Sequence, residues 1–332
     1  MTPDLLPPGA LMRAESAQGM DVFCTAARQT APAALSHPRA IYTIARGSSD
    51  AAANILSYEA MRVLGIPVTS LPPSVFSLGA GVALEGCMAL VVSQSGASDD
   101  LVRSARGAAR HGAQVVAITN QPDSPVEGAS QITLPIGAGP ERAVPATKTV
   151  IGSVAAGMAL LAALAPTYPA KEAARALEGL TTAHPRADAL RAAFLRAQHI
   201  YVIGRDTGYG AAHEIALKLK ECCALHAEAY SSSEVLHGPL QLATNPLMVL
   251  ILDTGAEHIQ DSLNQAETRF RTIGCDVHRV RPTDVGSPTE LVAAAAAAVL
   301  LAMIYPIILE TALALGMNPD APETLSKVTQ TT

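Results

Sequence analysis

The hexapeptide Ile41-Tyr42-Thr43-Ile44-Ala45-Arg46 returns as Ile200-Tyr201-Val202-Ile203-Gly204-Arg205. Further on, Val91-Val92-Ser93-Gln94-Ser95-Gly96-Ala97 returns as Leu250-Ile251-Leu252-Asp253-Thr254-Gly255-Ala256. Both pairs are offset by 159 positions. One offset shared by two separated blocks marks a duplicated structural unit. His111-Gly112 before a strand is echoed, after a small insertion, by Ile273-Gly274.

Each copy alternates short apolar runs with helical patterns, the signature of an α/β fold with parallel sheets. In the first copy the pattern predicts strands near 40–45, 67–71, 88–92, 114–119 and 131–135, and helices near 12–29, 49–64, 98–111 and 148–165. In the second it predicts strands near 199–203, 226–230, 247–252 and 276–280, and helices near 207–224, 256–273 and 289–316. Runs such as Ala89-Leu90-Val91-Val92 have no polar face, so both faces of the sheet are expected to be covered. The expected organisation is a helical segment 1–30, domains 31–166 and 185–320, and a tail 321–332. Residues 166–196, with Pro169 and Pro185, carry the connection and further helix.

Composition removes several function classes. Net charge is −6, which leaves no basic face for nucleic acid. The five cysteines form no CxxC pair and have no matching histidine spacing, so reduced core thiols and no metal are expected. The start, MTPDLLPPGA, has an acid and prolines where an export signal has a basic start and an apolar run. Leu291–Leu309 is uncharged and long enough to span a bilayer. Six consecutive alanines make it only weakly apolar, so a buried helix is expected, with no membrane partner. A cytoplasmic location follows from the same features.

Ligands of open parallel sheets bind beyond the carboxyl ends of the strands. Two such ends are rich in hydroxyls: Arg46-Gly47-Ser48-Ser49-Asp50 and Ser93-Gln94-Ser95-Gly96-Ala97-Ser98-Asp99-Asp100. Each offers backbone N–H groups, hydroxyls and the start of a helix, which suits a phosphate. For a single loop, capping of the helix by the serines is the better reading. Two such loops after neighbouring strands favour the phosphate cradle. No GxGxxG or GxxxxGK[ST] motif follows either strand, so no dinucleotide or nucleotide cofactor is expected. In the second copy Glu214, Lys218 and Glu221 share one face of a helix. They read either as solvated charges or as a carboxylate–lysine pair beside the loop histidine His237.

These motifs resemble the isomerase half of glutamine–fructose-6-phosphate aminotransferase, two sugar-isomerase (SIS) domains in tandem. The matching segments are Ser93-Gln94-Ser95-Gly96, Val144-Pro145-Ala146-Thr147-Lys148, Lys218-Leu219-Lys220-Glu221, His226-Ala227-Glu228-Ala229, Glu234 with His237-Gly238-Pro239, and Leu325-Ser326-Lys327. The resemblance implies two flavodoxin-like domains, each a parallel sheet flanked by helices in three αβα layers. It implies that Ser48, Ser49, Ser93, Gln94, Ser95, Ser98 and Val144 hold the phosphate and sugar. It implies Glu221 as the base moving a proton between C1 and C2, with Lys218 near the reacting oxygens. It assigns ring opening to His237, supplied by the neighbouring subunit of a homodimer, and imine formation with the ketose to the tail residue Lys327.

Two departures matter. The full synthase carries an N-terminal glutaminase domain, whereas this chain runs from MTPDLL almost directly into the isomerase region. The expected reaction is therefore breakdown, glucosamine 6-phosphate to fructose 6-phosphate and ammonia, as in the SIS-type glucosamine-6-phosphate deaminases. Pro145 and Val328-Thr329-Gln330 also differ from the synthase motifs. The alternatives are a sugar-phosphate deglycase, a deaminase for the galacto epimer, ammonia-dependent synthesis, and a non-catalytic sugar-phosphate sensor. Retention of Glu221, His237 and Lys327 together argues against the sensor.

Overall fold

The structure is a computed structural model describing residues 6–32 and 34–327. Among them run eleven α-helices: α1 (Ala10–Ser16), α2 (Gly19–Ala27), α3 (Ser48–Leu64), α4 (Ser74–Ser77), α5 (Asp99–Arg110), α6 (Lys148–Leu164), α7 (Ala170–Ala176), α8 (Ala187–Arg196), α9 (Thr207–Cys223), α10 (Gln260–Ile273) and α11 (Ala293–Ala314). The nine strands are β1 (Ile41–Ile44), β2 (Val68–Ser70), β3 (Met88–Ser93), β4 (Gln114–Thr119), β5 (Ile132–Pro135), β6 (Ile200–Gly204), β7 (Ala227–Ser231), β8 (Met248–Leu252) and β9 (Asp276–Val280). Every expected strand forms within one residue of its expected bounds. The chain divides into two compact units, one of residues 21–141 and 148–178, the other of residues up to 20, 142–147 and 179–327.

The first unit is built on a parallel sheet in the order β2-β1-β3-β4-β5. Successive side chains leave opposite faces of a strand. Ile44, Ala89, Val91, Val115 and Ala117 pack with Leu101, Val102 and Ala105 of α5. Met88, Leu90, Val92, Val116 and Ile118, of the opposite parity, are equally buried, and α3 and α6 pack together against the same sheet. This two-sided cover is why β3 carries no polar residue before Ser93.

The second unit repeats the plan with the parallel sheet β7-β6-β8-β9. Tyr201, Ile203, Val249, Ile251 and Val277 pack with Leu263 and Phe270 of α10. Helix α9 packs against β6, β7 and α11. The ladders refine the repeat. Met88 pairs with Ile41 and Met248 pairs with Ile200, so the third strands are 160 residues apart while the first strands are 159 apart. Gly96 and Gly255, in the loops that follow, return to the 159 spacing. The second loop is therefore one residue shorter.

The expected helix 12–29 is two helices. Glu15 turns its carboxylate to the N–H groups of Arg142 and Ala143 at 2.5 and 3.2 Å, and α1 ends one residue later. At its other end, the Asp320 carboxylate accepts the N–H groups of Leu11 and Met12 at 2.9 and 2.8 Å. A carboxylate at a helix start satisfies orphan donors and complements the helix dipole. Helix α11 continues through Pro306, and 89% of its most apolar stretch is buried. It is the buried helix expected from the sequence. All five cysteines are free thiols.

A buried ionic knot joins β8, β9 and α10. The Asp253 carboxylate is fully buried and accepts Arg279 Nε at 2.9 Å, Arg281 Nε at 2.7 Å, Gln260 Nε2 at 2.9 Å and the Gly255 N–H at 2.9 Å. Burial alone would raise its pKa, but the guanidinium, amide and backbone donors outweigh it and hold the carboxyl below its ordinary value. Its stabilisation is therefore present above the unfolded aspartate pKa and lost as pH falls through the folded one. Asp253→Ala leaves two guanidiniums without their shared anion and should cost about 3 kcal/mol at neutral pH, the low end for a broken buried pair because Arg281 can turn to solvent. Denaturant unfolding of both proteins at pH 7 and below pH 4 checks this. The gap should shrink in acid, and a gap independent of pH contradicts the assignment.

Candidate active site

In the first unit the strand order reverses between β1 and β3, the place where such sheets open a crevice. The loop after β1 turns at Gly47, the N-cap of α3, with φ 56° and ψ −132°. Ser48 and Ser49 are thus the first two residues of the helix, not its cap. The loop after β3 starts at Ser93, whose buried Oγ accepts the Gly96 N–H at 3.1 Å. Ser95 Oγ accepts the Ala97 N–H at 3.4 Å. Gly96 has φ +60°, and a Cβ there would lie 2.2 Å from Ser124 Oγ. Only glycine lets this loop fold so tightly. Ser98 is the N-cap of α5, yet its hydroxyl makes no capping bond. Helix capping therefore does not account for the Ser98 hydroxyl.

Acids in the first helical turns would repel a phosphate, and here they are compensated. Asp99 is paired with Arg103. The buried Asp100 carboxylate takes Arg46 Nη2 at 3.1 Å. This pair also ties the loop after β1 to the helix after β3. Burial raises the Asp50 carboxyl above its ordinary value, which disfavours negative charge there. The tie was not legible in the sequence. Its only signal is an arginine directly after one strand and an acid at the start of the helix after another.

In the second unit, Glu214, Lys218 and Glu221 lie one turn apart along α9. Lys218 Nζ is fully buried, 3.2 Å from Glu214 Oε1 and 2.6 Å from Glu221 Oε2. Tyr305 of α11 donates its hydroxyl to Glu214 Oε1 at 3.1 Å. These are not solvated helix charges. Burial alone would lower the lysine pKa, but the two carboxylates outweigh it and raise it, so the ammonium stays charged. Glu214 is fully buried, whereas Glu221 keeps 24% of its side chain exposed. One carboxylate locks the lysine and the other reaches solvent. Lys220, between them in sequence, is exposed.

The remaining predicted residues sit on irregular segments of this unit. His237 is exposed between two 3₁₀ turns that follow β7, Glu234–Leu236 and Gly238–Thr244. The Val144 N–H donates to the Asp320 carbonyl at 2.9 Å, so segment 142–147 is fastened through Glu15 and Asp320. Lys327 is half-buried and is the last described residue. Val328-Thr329-Gln330 lies outside the described residues.

The SIS domain family model matches residues 34–163 and 193–274. The glutamine–fructose-6-phosphate aminotransferase of Methanothermobacter thermautotrophicus is 30% identical over 297 residues, 86% of this chain and 50% of that protein. The chain spans about half the length of the curated relatives it matches. A crystal structure from Silicibacter pomeroyi DSS-3, assigned as a phosphosugar isomerase, superposes with a TM-score of 0.80 at 34% identity and covers 93% of this chain and 99% of that one. The glucosamine-6-phosphate deaminase of Thermotoga maritima superposes with a TM-score of 0.78 at 19% identity, covering 97% and 100%, a likeness of fold. With more than half of its length matched by the family model, the chain belongs to the SIS-domain family.

Proposed function

We propose that this protein opens glucosamine 6-phosphate, isomerises it, and releases fructose 6-phosphate and ammonia. The observation that carries the proposal is the buried Glu214–Lys218–Glu221 relay with one exposed carboxylate. Aldose–ketose isomerisation needs a base that stays ionised and can serve two adjacent carbons. Lys218 positions Glu221 through a 2.6 Å contact, and Glu221 takes the C2 proton of the open-chain sugar and returns it to C1. The same ammonium offers positive charge to the oxygen that gains negative character in between. The C2 amine becomes a ketimine, and water adds to C2 and expels ammonia. The phosphate is held by Ser48, Ser49, Ser93, Gln94, Ser95 and Ser98, supported by the compensated acids around them. His237 assists ring opening, since imidazole both accepts and donates a proton near neutral pH. The Lys327 amine condenses reversibly with the ketose carbonyl, expelling water, and hydrolysis of that imine frees the fructose 6-phosphate; Val144 lines the sugar. No cofactor takes part, and the enzyme works in the cytoplasm.

The exposure of His237 supports its use by the site of a second copy in a homodimer. Isologous dimers then place Glu221 of one copy with His237 of the other.

Glu221→Gln should lower kcat by about 10²- to 10⁴-fold, the usual worth of a positioned base, with substrate binding retained. The assay is ammonia and fructose 6-phosphate release from glucosamine 6-phosphate without glutamine. Ammonia release at the wild-type rate by the variant rules the base out, and no release by the wild type sinks the substrate. Ser95→Ala should raise KM about 10- to 100-fold, since a hydrogen bond to a charged group is worth about 1.5–3 kcal/mol. An unchanged KM contradicts the cradle. Mixing inactive Glu221→Gln and His237→Ala chains under subunit exchange should restore roughly a quarter of the activity, because half of the dimers then hold one intact site. No restoration contradicts the shared site.

A further inference from the structure

The reversal of strand order that opens the first crevice occurs again between β6 and β8. We propose that this second crevice is a phosphate-type anion site that the chain fills with its own carboxylate, Asp206. The inference borrows its chemistry from the serine cradle, and the test below separates the two.

Asp206 is the N-cap of the 17-residue helix α9, with φ 58° and ψ −133°. Gly47, the N-cap of α3, has φ 56° and ψ −132°. The two backbones are all but identical. Glycine enters this region freely, whereas a residue with a Cβ is strained in it. A Cβ added to Gly47 would meet nothing within 4 Å. The first copy therefore leaves open space at its helix start, and the second puts a carboxylate there at the expense of backbone strain.

The carboxylate uses the contacts a bound anion would use. Asp206 Oδ1 accepts the Thr207 N–H at 2.7 Å, and Oδ2 lies 2.8 Å from His258 Nε2. His258 belongs to the segment that follows β8, so the pair spans the two connections bordering the crevice. Two buried hydroxyls lie at the same helix start. Thr207 Oγ1 and Thr254 Oγ1 have no hydrogen-bond partner among the described residues, and the residues are 0% and 6% exposed. Thr254 abuts the first turn of α9, its Cγ2 lying 3.5 Å from where a Gly208 Cβ would sit. Thr254 also stands at the repeat position of Ser95. Buried unpaired hydroxyls are uncommon and call for a cause. Here they are the donors of a polyoxygen anion, which a single carboxylate does not satisfy. The nearby Arg205 hydrogen-bonds Ser231 and Ser233, and Arg279 and Arg281 are paired with Asp253.

The test is equilibrium binding of inorganic phosphate to the full chain, by titration calorimetry and phosphorus NMR. Asp206→Gly should bind one equivalent more than the wild type. His258→Ala keeps the internal carboxylate and should gain none. Equal stoichiometry of wild type and Asp206→Gly overturns the proposal, as does a gained equivalent in His258→Ala. Failure of Asp206→Gly to fold also overturns it, because glycine is the residue this backbone favours. A wild type that binds no phosphate while Asp206→Gly binds one would sink the serine cradle and leave this inference standing.

Discussion

An ammonium group held away from water is the costliest element of the fold, and the second unit is arranged around it. An unpaired buried lysine loses its proton rather than its desolvation penalty. Lys218 keeps its charge because Glu214 and Glu221 flank it along the same helix. Glu214 in turn is held by the Tyr305 hydroxyl. Two helices are thereby joined by one polar chain inside an apolar contact. Such a chain stabilises little against a purely apolar packing. What it supplies is position: the partly exposed carboxylate of Glu221 is held 2.6 Å from Lys218 Nζ, at a fixed place and orientation. A proton shuttle requires both.

Duplication has produced two sheets of one topology and two crevices of opposite character. The first is lined by hydroxyls, with Gly47 leaving space at the start of α3. The second carries Asp206 at that backbone position and Asp253 deep in the next loop. The divergence is one of charge more than shape, since the φ and ψ angles of Gly47 and Asp206 agree. The catalytic side chains proposed for the second copy come from the body and far end of α9 and from the segment after β7. They owe nothing to its switch-point crevice. A helix whose first turn is closed internally remains free to evolve chemistry on its later turns.

How much of this the sequence carried depends on the range of the interactions. The strands were legible because a sheet covered on both faces selects unbroken apolar runs, and Ala89-Leu90-Val91-Val92 is one. The helix start and end points were nearly as clear where a glycine or a hydroxyl marks them. The split between α1 and α2 was not; α1 ends one residue after Glu15, whose carboxylate is engaged by Arg142, more than a hundred residues away. Ser98 could be named but not told from a cap until its hydroxyl was seen to make no capping bond, and the bonds of Ser93 and Ser95 show only in the folded loop. Lys218 looked like a surface charge, since a lysine between two glutamates at helical spacing is the ordinary pattern of a solvated face. Only burial by α11, an element some ninety residues later, reverses that reading. The strain at Asp206 leaves no mark in the sequence, because aspartate before a helix is the commonest of caps.

The alanine-rich helix α11 links these observations. Six consecutive alanines bring little hydrophobic stabilisation per residue, and alone they would be a poor choice for a core. They do allow close approach, and α11 packs against α9 along its length. Tyr305 of this helix reaches Glu214 at 3.1 Å. A bulkier run would bury more area but hold the helices apart, and a spaced contact would let solvent relax the lysine. The residue that follows, Pro306, lies inside the helix and removes one backbone hydrogen bond. The helix tolerates this because its packing, not its internal ladder, fixes its course. The sequence that most resembled a membrane span is thus a buried helix beside a polar relay.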